Sequence, residues 1–507
     1  MNRPPQTASK TSTSTDSGSP PLGGGPPQRS LSRPARDHAT AIARQSGIPS
    51  EHFQAEPNSL AEDTQISPAG EWAESGAMAL SGDPSGPPQF AAGALASAAR
   101  GAEILLRALA PAGAFADLDG PALLGERAAI AGLRRGGEIS CGGAARLLPT
   151  KSGFIAAHLP RDSDWQSMPA WLEVDEDSMW RFPTESDAEL RWTRLAEIVR
   201  EHPVETLLAR GRLLGLAVAP AAKQIPQNTP LFRATHLSER RPMKHLVKPN
   251  SEAGTERPLR LLDLSSLWAG PLAASLLAEC GIEVLKIESP DRPDGARLGP
   301  ARFFDLMQGG KAGCALDLRS PSDRLLFEAL LEQADLVIES ARPRALEQLG
   351  YDAGSWVQAE PGRIWASITG YGRSDPGVAF GDDAAVAAGL AWSPTPLGET
   401  AERPSFCADA VADPLTGLHT AALVLGWLRK GRGALLDFSL RDVAANAACV
   451  TDSELTAPLH RRESQWVLAL PETEIPVSPP RARKTRSSAP PLLAPTQELI
   501  QHWTEPC

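Results

Sequence analysis

The stretch from Arg257 to Arg373 constrains this chain most. It opens on a short apolar strand, residues 259–264, broken at Ser265-Ser266. The turn Ala269-Gly270-Pro271 follows, then an amphipathic run from Leu272 to Cys280 that Gly281 stops, then a second strand over 282–288. Strand, turn, helix and strand in so short a length make a βαβ unit, which implies a parallel sheet with a ligand crevice at the carboxyl ends of its strands. The alternation continues. Residues 313–318 read as a strand, and Ser320, Pro321 and Asp323 start a helix that runs to about Gln333. Residues 335–339 and 363–369 read as strands, with a helix at 344–349 that Gly350 ends. The expected fold class is α/β: a doubly wound, Rossmann-like parallel sheet as the large domain, with a smaller α/β domain beside it.

At 507 residues the chain has room for two to three domains and a large core. A net charge of −11 and no dense Lys/Arg run in the folded part argue against a nucleic-acid surface. The first residues lack the apolar core of a signal peptide, and the longest apolar run, Ala421–Leu428, is far short of a membrane span. The expectation is a cytoplasmic protein. Its six cysteines show no CxxC spacing and its nine histidines no HExxH, so they read as incidental thiols and no metal site.

Residues 1–70, rich in Pro, Ser, Thr, Gly and Gln, read as a disordered arm with a short helix at 37–46. Residues 72–230 are expected to fold, with helices near 91–110, 121–135, 188–200 and 203–216. Residues 231–257 look like a polar, basic linker, 258–450 form the second block, and 451–507 are a Pro/Arg-rich tail. A repeat links the blocks. Residues 75–110 and 388–428 each show a small-residue opening, a Gly/Pro-rich turn and a helix centred on a glycine, Gly101 or Gly417.

In Asp263, Leu264, Ala269, Gly270, Pro271, Leu276, Leu277, Gly281, Val284, Lys286 and Glu288, the second block resembles the opening of family III CoA-transferases, the carnitine and bile-acid (CaiB/BaiF) group. Residues 125–172 resemble that family's passage into its small domain. The end of the chain resembles its closing stretch, with Ala494 where a glycine is usual. The family's later part thus stands first here and its beginning second, with the middle segment duplicated.

The resemblance implies CoA transfer between an acyl-CoA and a carboxylic acid through one aspartate. A carboxylate suits this chemistry because it is ionised at neutral pH and leaves well once acylated. After Ser367, Gly370, Tyr371 and Gly372, both Asp382 and Asp383 fit the family's position, Asp382 with the smaller gap. An acidic pair that merely caps a helix is the plainer reading. Asp409 and Asp413 read as a cap and a turn residue. For CoA, the resemblance points to Trp268, Ala269, Glu288, Arg292, Arg297, Gly310, Lys311, Ser340, Ala341 and Arg342. Trp268 and the Ser340-Ala341 pair depart from the family's usual residues. Cys141-Gly142-Gly143-Ala144 fits its glycine loop, or a plain turn. The resemblance further implies CoA esters as substrates with no resident cofactor. It also implies an interlocked homodimer, unless the rearranged halves pair within one chain.

Three other readings stand beside it. An acyl-CoA racemase needs a histidine, and none lies between Gly370 and Asp383. A non-catalytic acyl-CoA-binding protein would explain the rearranged order. An NAD(P)-dependent oxidoreductase would use Glu288, but the turn at 265–271 lacks GxGxxG.

Overall fold

The computed structural model describes residues 32–48, 66–174, 188–239, 258–342, 344–394, 402–450 and 455–505. In the N-terminal block, β1 (Ala145–Thr150), β2 (Gly153–His158) and β3 (Ala217–Pro220) form an antiparallel sheet in that order. Helices at 188–199 and 204–214 cover it through Trp192, Leu195, Val199 and Leu207. This is the smaller α/β unit.

The large sheet has seven strands. They are β4 (Arg233–Glu239), β5 (Arg260–Leu264), β6 (Glu283–Glu288), β7 (Ala312–Ala315), β8 (Leu336–Glu339), β9 (Ile364–Thr369) and β10 (Arg432–Ser439). From β5 onward the strands run parallel, in the spatial order β7-β6-β5-β8-β9-β10. That is the doubly wound order, and its direction reverses between β5 and β8, where a crevice opens. Serines mark the spot, Ser266 N–H donating to Ser340 Oγ at 3.0 Å.

Six helices build what surrounds the site: α1 (Arg33–Gln45), α2 (Pro68–Ser75), α3 (Leu95–Leu109), α4 (Ala269–Glu279), α5 (Gly381–Ala387) and α6 (Ala412–Arg429). α6 is buried nearly all round, as an apolar helix without a polar stripe must be. One core joins α3 of the first block to α4 and α6 of the second. The repeat seen in the sequence is the heart of it. A Cβ on Gly101 of α3 would stand 2.7 Å from Ala35 O of α1, and one on Gly417 of α6 would stand 2.6 Å from Ala269 O of α4. Each glycine is therefore the seat on which another helix rests.

Three expectations change. Within the arm assigned to residues 1–70, the short helix expected at 37–46 spans 33–45 and is packed, burying Ala35, Ala39, Ile42 and Ala43; 1–31 and 49–65 lie outside the described residues. Part of the linker assigned to 231–257 is β4, an antiparallel edge strand on β10, and 240–257 lie outside the description. The Pro/Arg-rich tail docks on the sheet. Ala315 N–H donates to Leu493 O at 2.8 Å, and the Arg260 guanidinium donates to His502 O at 2.6 Å. A further small sheet, β11 (Leu459–Arg462), β12 (Gln465–Ala469) and β13 (Glu474–Pro476), precedes that docking. Among the described residues, no helix is long and apolar enough to cross a membrane.

Candidate active site

A cavity of about 250 Å3 lies between the two blocks. Arg127, Ser140, Gly142, Ala144 and His158 wall it from the N-terminal block; Trp268, Phe380, Asp382 and Asp413 wall it from the other. The tight turn after Ser140 shapes one side. Gly143 N–H donates to Ser140 O at 2.8 Å, and Gly143 takes a φ of 76°, the left-handed region that favours glycine.

The adjacent aspartates of α5 do different things. Asp383 is fully buried and turned back: its Oδ1 accepts from Phe380 N–H at 2.9 Å, capping its own helix, and meets His158 Nδ1 at 3.3 Å. Asp382 faces the cavity, its Oδ1 accepting from Ala410 N–H at 2.9 Å. Burial pushes the Asp382 carboxyl above its ordinary value, against the pull of His158 and Arg127. Ala410 and Ala408 both hold positive φ, 45° and 55°. Non-glycine residues in that region cost of the order of 1–3 kcal/mol each, and such strain gathers at working sites. Here it aims an amide at Asp382 and places Asp409 between the two alanines.

Asp409 is fully buried and holds Arg127 with both oxygens, at 2.9 and 2.5 Å. The same guanidinium lies 5.5 Å from the Trp268 ring centre. Arg127 thus braces the two blocks against each other across the cavity. Asp413, half-buried in the cavity wall beside Asp382, is pushed up to about 7, chiefly by desolvation. The turn residue read from the sequence is a cavity carboxyl.

The residues assigned to CoA divide into three groups. Trp268 lines the cavity with its indole N–H unpartnered, and Gly142 lines the opposite side, with Gly143 next to it. Arg292 and Arg342 stand at the ends of β6 and β8. They come close to Arg161, a residue the sequence did not suggest, whose guanidinium is lowered first by burial and then by these two like charges. Arg161 also lies 5.4 Å over the Phe380 ring of the cavity wall. The third group is committed to the fold. Glu288 takes Arg297 in a two-point pair at 3.0 and 2.6 Å and caps Asp294 N–H. Lys311 is buried against Asp263 at 2.8 Å, where burial lowers it to about 8. Gly310 makes a turn at φ 85°, Ser340 accepts the Ser266 amide, the Ala341 amide is tied to Glu339, and Ala269 is packed under Gly417. The charges of Glu288, Arg297 and Lys311 are thus paired inside the protein. Cys141 touches the carbonyls of Leu80 and Ala408, and burial pushes its thiol up, away from reactivity.

The family model described as CoA-transferase family III matches residues 257–465. Succinate–glutarate CoA-transferase of Agrobacterium fabrum is 30% identical over 202 residues, 36% of this chain and 50% of that protein. Succinyl-CoA–D-citramalate CoA-transferase of Chloroflexus aurantiacus is 27% identical over 228 residues, 41% of this chain and 55% of that one. The chain therefore spans about half the length of the curated relatives it matches. A solved CAIB/BAIF family protein from Brucella suis is 25% identical with a TM-score of 0.35, over 43% of this chain and 64% of that one, and at that score the likeness carries no weight. The likeness to CoA-transferase family III is thus carried by residues 257–465.

Proposed function

We propose that the chain transfers CoA from an acyl-CoA to a carboxylic acid, with Asp382 as the nucleophile. The observation that carries this is the division of labour on α5. Asp383 gives Oδ1 to the helix cap and His158 and keeps its unpartnered Oδ2 buried off the cavity wall, while Asp382 meets the cavity with one oxygen held by the Ala410 amide. No hydrogen bond to Oδ2 is found among the described residues, which leaves that oxygen to attack a thioester carbonyl. The product is a mixed anhydride and free CoA. The CoA sulfur returns to give an aspartyl-CoA thioester, and an acceptor acid then opens it. The apolar walls of the cavity, Trp268, Phe303 and Phe380, limit the access of water to the anhydride.

Arg161, Arg292 and Arg342 supply the charge that CoA phosphates require, and Trp268 a flat apolar wall. The relatives' names suggest short acids, such as succinate and glutarate, as the first donors and acceptors to try. Both walls of the cavity come from one chain, which favours pairing of the halves within the chain over the homodimer.

The test is a transfer assay with succinyl-CoA and a panel of acids, beside thermal unfolding with and without CoA. Transfer that Asp382→Asn abolishes supports the proposal. Stabilisation by CoA with no transfer and no enzyme-bound acyl group would make the chain a binding protein instead. One observation favours a second reading: the histidine lacking between Gly370 and Asp383 arrives from the other block as His158. Exchange of the substrate's α-proton with deuterated solvent, without transfer, would identify a racemase.

A further inference from the structure

His158 ends β2, in the block that the family model does not match, yet its ring reaches into the cavity. Nδ1 is engaged by Asp383, and Asp383 is itself fixed by the Phe380 amide. The Phe380 ring packs against the imidazole with centroids 4.5 Å apart. No partner for Nε2 is found among the described residues. A histidine oriented through one nitrogen by a buried carboxylate, its other nitrogen left to the cavity, is built for proton transfer at a defined atom. The charged groups facing it are Asp382 and Asp383 from α5 and Asp413 from α6, with Arg127 across the cavity.

We propose that His158 is the proton carrier of the transfer reaction; this rests on the reading of Asp382 as nucleophile. As Asp382 Oδ2 bonds to the acyl carbon and the C–S bond breaks, His158 Nε2–H gives its proton to the departing sulfur. When that sulfur attacks the Asp382 carbonyl of the anhydride, Nε2 takes the proton back and the donor carboxylate leaves. The acceptor's half-reaction repeats the same two moves, so one proton serves the whole cycle and no other reagent is needed.

The test follows release of CoA thiol in a single turnover across pH, for wild type, His158→Gln and Asp383→Asn. Near neutral pH, His158→Gln should release thiol about 10²-fold more slowly. Its pH profile should differ in shape from that of wild type, and Asp383→Asn should show a smaller loss in the same direction. In the wild type itself, release should slow in deuterium oxide. A His158→Gln burst at the wild-type rate, profiles of identical shape, or no solvent isotope effect would each overturn the proposal. No burst from wild type would instead overturn the reading of Asp382, which separates the two failures.

Discussion

The repeat places two versions of one segment in the same core, α2 with α3 and α5 with α6. Aligned on their N-caps, Ser67 and Phe380, and on the left-handed glycines at their ends, Gly76 and Gly389, they match without a gap. Ala69 and Gly70 then stand where Asp382 and Asp383 stand. The nearest carboxylate in the first copy is Glu71. It is 5% exposed and accepts hydrogen bonds from Ser32 and Ser97 inside the core. A Cβ on Gly70 would run into Ile66 and Ile475, so this copy has no cavity to open. The second copy has the carboxylates, the strained alanines and the space. The same helical scaffold thus serves packing in one place and chemistry in the other, and the difference lies in a few side chains.

The largest expected contrast follows from this. Asp382→Asn should lower transfer by about 10³-fold or more while leaving the fold intact, because it removes a nucleophile and no packing. Glu71→Ala should leave the rate unchanged and cost about 1–3 kcal/mol in chemical denaturation, because it leaves Ser32 and Ser97 without their acceptor. If Glu71→Ala lost activity in proportion, the two copies would not be functionally distinct. A sharper version adds Ala69→Asp to Asp382→Asn. No adduct should return, since the new carboxylate is buried with neither a cavity nor an Ala410-like amide beside it.

The seat glycines offer a subtler break. Gly101→Ala and Gly417→Ala should each destabilise by about 1–3 kcal/mol through overpacking. Only Gly417→Ala should also raise KM for the CoA ester, since α4 carries Trp268 at its entry; equal effects on KM would mean that the two helix pairs are coupled. The smallest effect concerns the pair that ties α1 to the second copy. His38 of α1 and His419 of α6 meet through their Nε2 atoms at 2.8 Å. Both are held below the ordinary histidine value of 6.5 by burial, His419 at about 4. A histidine depressed in the folded state contributes stability above its unfolded pKa and loses it as pH falls through the folded one. Unfolding temperature should therefore drop between about pH 6.5 and pH 4, and His38→Gln should flatten that drop. A slope that His38→Gln leaves unchanged would place the acid sensitivity elsewhere.

What the sequence made legible follows from the range of the interactions. The strands from 259 to 369 and their helices show through local periodicity and caps, and the structure places each within a few residues. β4 escaped because it is an edge strand whose side chains are exposed or half-buried, so it carries no apolar alternation. α1 was visible as a short helix at 37–46, but its packing was not, because its buried face is mostly alanine in a stretch rich in arginine and serine. Both aspartates were visible, but their separation into a cavity carboxylate and a helix cap is a matter of three-dimensional direction. Arg127 and His158 meet their partners across 282 and 225 residues. No local pattern can announce such a pairing.

The account turns on Asp382, and intact-protein mass spectrometry tests it most directly. Wild type, Asp382→Asn and Asp383→Asn would each be incubated with succinyl-CoA, then examined before and after hydroxylamine. The prediction is a covalent acyl or CoA adduct on wild type that hydroxylamine removes, is retained at least in part by Asp383→Asn, and is absent from Asp382→Asn. An adduct that survives in Asp382→Asn and vanishes in Asp383→Asn would contradict the account.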